Sequence, residues 1–232
     1  MIFIVVKRWI SFLSDWASLH RQIWRSIKQV SHLKAWCFRV PIFLLMIGLS
    51  TKSDLALGDK MGLKKKAMKK EIAILAGGCF WGVEELIRQQ KGVLETEVGY
   101  TGGVVLNPKY DQVKTGQTGH AEAIRIVFDP DQISYTSLLK YFFKIHDPTT
   151  LNQQGNDIGS QYRSAIFYEN DKQKEIAESL IKMIDEKGVW KKKIVTELRK
   201  AGPFHSAETY HQDYLQKNPG GYTCHFERKI SI

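Results

Sequence analysis

Strands and helices that alternate along residues 69–232 predict an α+β fold: a two-layer α/β sandwich with a plait (ferredoxin-like) core and a long irregular C-terminal tail. Three observations carry this. Apolar residues recur with a period of two in some segments and near 3.6 in others. Gly, Asn and Pro punctuate those segments at short intervals. Beyond a basic extension over residues 1–68, no repeat, low-complexity tract or second composition regime interrupts the chain.

In order, Glu71–Ala76 (EIAILA) reads as a short buried strand broken by Gly77 and Gly78, and Cys79 opens a helix that runs to about Gln90. Val93–Tyr100 is a second strand, ending in the glycine cluster Gly99, Gly102 and Gly103, and a polar loop with Asn107-Pro108 and a short helix near Tyr110–Lys114 follow. His120–Asp129 places Glu122, Ile124, Ile126 and Phe128 on one face, the pattern of a half-buried strand. Ser134 is placed to cap a helix that turns Leu138, Leu139, Phe142 and Phe143 inward and stops at Asp147-Pro148. Thr149–Ser160 reads as a polar loop and Ser164–Tyr168 as a strand. After Asn170 comes a helix burying Ile176, Leu180 and Ile184 that ends at Gly188. A strand near Lys193–Leu198, a short helix around Ala207–Leu215 and the turn-rich tail Asn218–Ile232 complete the prediction.

The net charge of +10 is unevenly spread: residues 1–70 carry 14 Lys/Arg against 3 Asp/Glu, the rest 20 against 21. The body therefore lacks the basic footprint of a nucleic-acid binder. Within the extension, Val40–Leu49 has the length of a signal-peptide apolar core and is too short to span a bilayer. Trp9, Phe12, Trp16, Ile23 and Trp24 recur near helical spacing among Arg21, Arg25 and Lys28, the pattern of a helix lying on a membrane surface. A chain starting at Met46, Met61 or Met68 would instead make the extension a start-site artefact. The expectation is a cytoplasmic body with a dispensable leader; the alternative is export or membrane association through residues 1–50.

Of three cysteines, Cys37 falls in the extension and Cys79 and Cys224 in the body, too few for a thiolate zinc site and without a CxxC pair. Cys79 sits where a strand turns into a helix, beside the free N–H groups of the first turn, which favour a thiolate. Flanking glycines permit close approach of another molecule, and Phe80 and Trp81 supply apolar surface. The same residues equally describe a small buried thiol between two core anchors.

Five segments in sequence separate these readings: GGCFWGVE at Gly77–Glu84, GYTGG at Gly99–Gly103, NPKYDQVKTGQTGHAEA at Asn107–Ala123, QGNDIGSQYRSAIF at Gln154–Phe167 and AETYHQDYLQKNPGGYTCH at Ala207–His225. Together they resemble the successive motifs of the methionine sulfoxide reductase A family over roughly Lys70–Arg228. That resemblance implies that Cys79 attacks the sulfoxide sulfur, with Phe80 and Trp81 receiving the methyl group. It implies that Glu122 is a neutral carboxylic acid that protonates the departing oxygen, aided by the phenols of Tyr110 and Tyr162. Asp157 matches the NDIG aspartate, while His211 and Tyr214 are further candidates for the pocket wall. Cys224 would condense with the Cys79 sulfenic acid, its turn-rich segment supplying the mobility, to give a disulfide reduced by thioredoxin or a similar dithiol protein. The resemblance also implies the S epimer as substrate, in oxidised proteins or as free methionine sulfoxide, a monomer, no nucleic-acid partner and no cofactor.

Two rivals stand beside it. A Cys–His acyl-transfer enzyme would need no second cysteine. A membrane-tethered peptide-binding module would keep its affinity after Cys79→Ser. His120-Ala-Glu122 has the H-x-E of zinc deaminases, but no P-C-x-x-C follows.

Overall fold

The computed structural model describes residues 69–232, so Cys37 and the readings of the extension lie outside the described residues. The body holds strands β1 (Glu71–Gly77), β2 (Val93–Thr101), β3 (Ala121–Phe128), β4 (Gln153–Gln154), β5 (Asp157–Ile158), β6 (Ser164–Tyr168), β7 (Glu197–Lys200) and β8 (Phe204–Ser206). Its helices are α1 (Phe80–Arg88), α2 (Tyr110–Val113), α3 (Tyr135–Ile145), α4 (Asp171–Glu186) and α5 (Tyr214–Lys217), with one 3₁₀ turn at Ser160–Tyr162. Six strands form one sheet in the order β7-β6-β1-β3-β2-β8, and β4 and β5 form a separate two-stranded ribbon. The pairs in the large sheet are antiparallel except β6–β7, which is parallel.

One face of the sheet, through Leu75, Ile124, Ile126, Phe128 and Ile166, packs on the apolar sides of the helices: Val83 and Ile87 of α1, Leu138, Leu139, Phe142 and Phe143 of α3, and Leu180 and Ile184 of α4. Burying such side chains stabilises by about 1.5–3 kcal/mol each before the entropy of ordering them is charged. Ser134 and Asn170 cap α3 and α4, each accepting a hydrogen bond from the backbone N–H three residues on.

Several elements differ from their sequence readings. β3 is buried on both faces apart from Arg125 and partly Val127, because Ala121 and Ala123 pack with Ile74, Ala76, Ala165 and Phe167 on the sheet's second face. Ala201 and Phe204 pack over these small side chains, so alternation alone mistook a two-sided strand for a half-buried one. The supposed loop 149–160 contains the β4–β5 ribbon, too short to leave a period in the sequence. The strand placed near 193–198 begins at Glu197, aligned by its parallel register with Ala165–Tyr168. In place of a helix over 207–215 there are turns, with β8 before them and α5 after. Tertiary anchors override helix propensity in this stretch: the Gln212 side chain accepts from Val98 N–H at 2.9 Å and donates to Val98 O at 2.9 Å. From Gly221 to Ile232 the chain has no regular structure.

Among the described residues, no helix is long and apolar enough to cross a membrane. Among the same residues, no group of three or more His, Cys, Asp or Glu side chains is placed to hold a metal ion.

Candidate active site

β1 ends in Gly77, and Gly78 takes φ +103°, a left-handed conformation that swings the chain into α1 with Cys79 at the N-cap. Cys79 and Phe80 open a pocket of about 130 Å³ that is also lined by Trp81, Tyr110, Glu122, Asp157, Tyr162 and Tyr222. Seven of the ten side chains singled out from sequence thus surround one cavity, and Cys224 adjoins it through Asp157, whose Oδ2 accepts its S–H at 3.3 Å. Tyr222 escaped the sequence reading, although it stands two residues before Cys224 in the same motif.

Glu122 faces the helices from β3, paired across the sheet with Tyr100, and is only 3% exposed. Its Oε2 accepts the Phe80 N–H at 3.2 Å, at the positive end of α1. That contact favours the carboxylate, yet burial outweighs it, and the Asp157 charge adds to burial, so the Glu122 carboxyl is pushed up to about 8. A carboxylic acid that keeps its proton at neutral pH therefore sits beside the cysteine.

The thiolate expectation for Cys79 needs correcting. The Trp81 N–H does point at the sulfur and lowers the thiol's pKa, as a helix N-terminus should. Burial and the neighbouring Glu122 dominate and hold the thiol well above its ordinary value. At 7% exposure the resting cysteine is a protonated thiol. Tyr110 and Tyr162 are likewise raised, first by burial and then by Glu122, so both phenols present O–H donors.

The walls are held by residues that the motifs contained but sequence reasoning passed over. Glu208 accepts from the Tyr100 hydroxyl at 2.9 Å and from Tyr110 N–H at 3.0 Å, fixing Tyr110 over the pocket. Glu84, buried in α1, accepts from Asp213 N–H at 3.0 Å and pairs with Arg88 at 2.9 Å, tying the 208–213 turns to the helix that Cys79 caps. His211 and Tyr214 stand outside the pocket lining and hold Trp81 from behind. Trp81 donates to His211 Nδ1 at 3.1 Å and stacks on Tyr214 with centroids 3.8 Å apart.

The segment carrying Cys224 is not a free arm. His225 is buried, its Nε2 lies 2.7 Å from the Gly77 carbonyl, and Tyr222 donates to Asp157 Oδ1 at 3.1 Å. Room for it comes from Gly82: a Cβ there would collide with Thr223 Oγ1 and stand 2.6 Å from His225 Nδ1. Replacing Gly82 by alanine should displace residues 222–225 and slow disulfide formation at least tenfold relative to the first chemical step. The check is quenched-flow non-reducing mass mapping of Cys79 and Cys224.

Residues 71–231 match the family model described as peptide methionine sulfoxide reductase. The chain belongs to the peptide methionine sulfoxide reductase family. A peptide methionine sulfoxide reductase MsrA of Leifsonia xyli is 57% identical over 158 residues, 68% of this chain and 91% of the relative. One from Streptomyces coelicolor is 57% identical over 162 residues, 70% of this chain and 92% of the relative. Among solved structures, reduced Mxr1 of Saccharomyces cerevisiae superposes with a TM-score of 0.65 at 37% identity, covering 71% of this chain and 98% of that one. Methionine sulfoxide reductase A of Corynebacterium diphtheriae gives 0.59 at 38% identity, covering 66% and 77%. Family membership fixes the reaction as thiol-dependent reduction of methionine sulfoxide, and the pocket described above holds a buried thiol, Cys79, beside a buried carboxyl, Glu122.

Proposed function

We propose that this methionine sulfoxide reductase acts on the S epimer, in proteins or as the free amino acid, through Cys79 as nucleophile and Glu122 as general acid. The observation that carries this reading is a buried thiol and a buried, protonated carboxyl lining one apolar pocket. The methyl group rests on Phe80 and Trp81, and the sulfoxide oxygen meets the Glu122, Tyr110 and Tyr162 hydroxyls. With Oε2 occupied by the Phe80 N–H, Oε1 carries the proton toward the substrate. Glu122 protonates the oxygen as the Cys79 sulfur attacks, then recovers a proton from the thiol. The methionine sulfur gains two electrons, Cys79 loses two, and the oxygen ends on Cys79 as a sulfenic acid.

Cys224 then condenses with that sulfenic acid, releasing water and forming a Cys79–Cys224 disulfide. Its partial exposure at the pocket rim supports reduction by thioredoxin or a similar dithiol protein. Cys224→Ser should still yield one equivalent of methionine per enzyme but lose multiple turnover with thioredoxin. A Cys224→Ser enzyme that turns over continuously with thioredoxin would remove Cys224 from the cycle. Turnover confined to the S epimer of a methionine sulfoxide peptide tests the stereochemical part; reduction of the R epimer at a similar rate would overturn it.

The strand order β6-β1-β3-β2, joined by α1 and α3, supports reading the core as a plait, with residues 218–232 as its irregular tail. We take residues 69–232 as the catalytic domain and 1–68 as an extension. We take the protein to be a monomer, and a thiol cycle of this kind suits the reducing cytoplasm.

A further inference from the structure

The ring of His225 lies against the three-residue turn that carries the nucleophile. Its Nε2 is 2.7 Å from the Gly77 carbonyl, and a Cβ on Gly78 would stand 3.2 Å from its Cε1. A carbonyl oxygen only accepts, so Nε2 must carry the hydrogen, which in a neutral imidazole leaves Nδ1 as a bare acceptor. That nitrogen lies 3.5 Å from Cys224 Sγ, within reach of a thiol hydrogen bond. One ring thus docks the Cys224 segment on Gly77 and presents a base to the sulfur of Cys224.

Resting on the Cys79–Cys224 cycle proposed above, we propose that His225 Nδ1 takes the Cys224 thiol proton as that sulfur attacks the Cys79 sulfenic acid. The S–S bond forms as the S–O bond breaks, and the sulfenic oxygen leaves as water with the proton of Glu122. The proton on His225 passes back through the pocket to the Glu122 carboxylate, restoring both groups. Cys224 is oxidised and the Cys79 sulfur reduced, with no outside electron acceptor. Asp157 is the competing acceptor, at 3.3 Å. Burial first, then the Asp157 hydrogen bond and charge, push the Cys224 thiol up to about 12, so Asp157 helps keep the proton on sulfur rather than removing it. Rotation of the S–H from Asp157 to His225 is the step that readies Cys224. The titratable groups facing the imidazole are Cys224 and Asp157 on one side and Arg228 and His146 on the other.

Glutamine reproduces the donor at Nε2 and has no basic nitrogen. In His225→Gln, disulfide formation should slow more than tenfold relative to methionine release in the same single turnover, with a sulfenic acid on Cys79 accumulating to be trapped by dimedone. Equal slowing of both steps would mark a purely structural role and overturn the proposal, as would an unchanged ratio. A wild-type measurement serves if the variant folds poorly. The rate of disulfide formation should stay level between pH 6.5 and 7.5, above the ordinary imidazole range from which burial lowers His225 and below the Glu122 carboxyl at about 8, whereas a tenfold rise per pH unit through that range would show unassisted thiolate attack and sink the idea. Cys224→Ser separates the underlying reading: if its sulfenic acid decays as in wild type, the cycle fails irrespective of His225.

Discussion

Glu122→Gln should slow methionine formation in a single turnover by roughly 10²–10⁴-fold, the usual worth of a general acid. The amide keeps the shape and still accepts the Phe80 N–H, but it has no proton to surrender as the S–O bond weakens. The wild-type pH profile carries the same information. With the carboxyl pushed up to about 8, the acid form prevails at neutral pH and is lost above 8, so the first step should decline as pH rises through that value. In the glutamine variant this decline should vanish. A variant retaining both wild-type rate and the alkaline decline would dismiss Glu122 as the acid. Linkage gives an independent readout. The folded state holds this proton up to about 8, whereas a free glutamate releases it near 4.5, so the native state binds more protons than the unfolded chain between those values. Stability from this group is present below 4.5 and is lost as pH rises toward 8. Glu122→Gln should therefore melt at a higher temperature than wild type at pH 9 while being slower, the signature of a residue kept for chemistry at a cost in stability.

Much of this was legible because the chemistry is written in contiguous motifs. Cys79 at a strand–helix junction follows from two glycines ahead of an apolar helix, and Ser134 and Asn170 marked two helix starts that the structure keeps. What could not be read lies in the balance of opposing terms. A helix N-terminus predicts a thiolate at Cys79, but the depth of burial and the closeness of Glu122 decide otherwise, and neither is a local property of GGCFWG. A turn-rich sequence predicts a mobile Cys224, but His225 beside it reaches the carbonyl of Gly77, 148 positions away along the chain. Glu84 and Glu208 drew no reading of their own from the sequence, since their partners arrive from distant strands and turns. Side chains whose role is to hold another residue become visible only with the fold.

Cys79→Ser should abolish product formation altogether, with no methionine detectable by mass spectrometry after prolonged incubation with dithiothreitol. Serine fills the N-cap well, so the helix should persist and the pocket keep its shape. What disappears is the atom able to lose two electrons and hold the oxygen; a hydroxyl has no counterpart of the sulfenic acid. The buried, protonated state of Cys79 makes this contrast sharper. A standing thiolate would be open to any oxidant reaching the pocket, whereas a thiol shielded by Phe80 and Trp81 and released only when Glu122 gives up its proton to a bound sulfoxide is selective for that event. Hydrogen peroxide should accordingly oxidise Cys79 far more slowly than a methionine sulfoxide peptide does at equal concentration, and the two rates should converge in Glu122→Gln. Peroxide oxidation of the wild-type thiol as fast as turnover would show that the thiol does not wait for the acid, and the coupling between the two buried groups would then have to be given up.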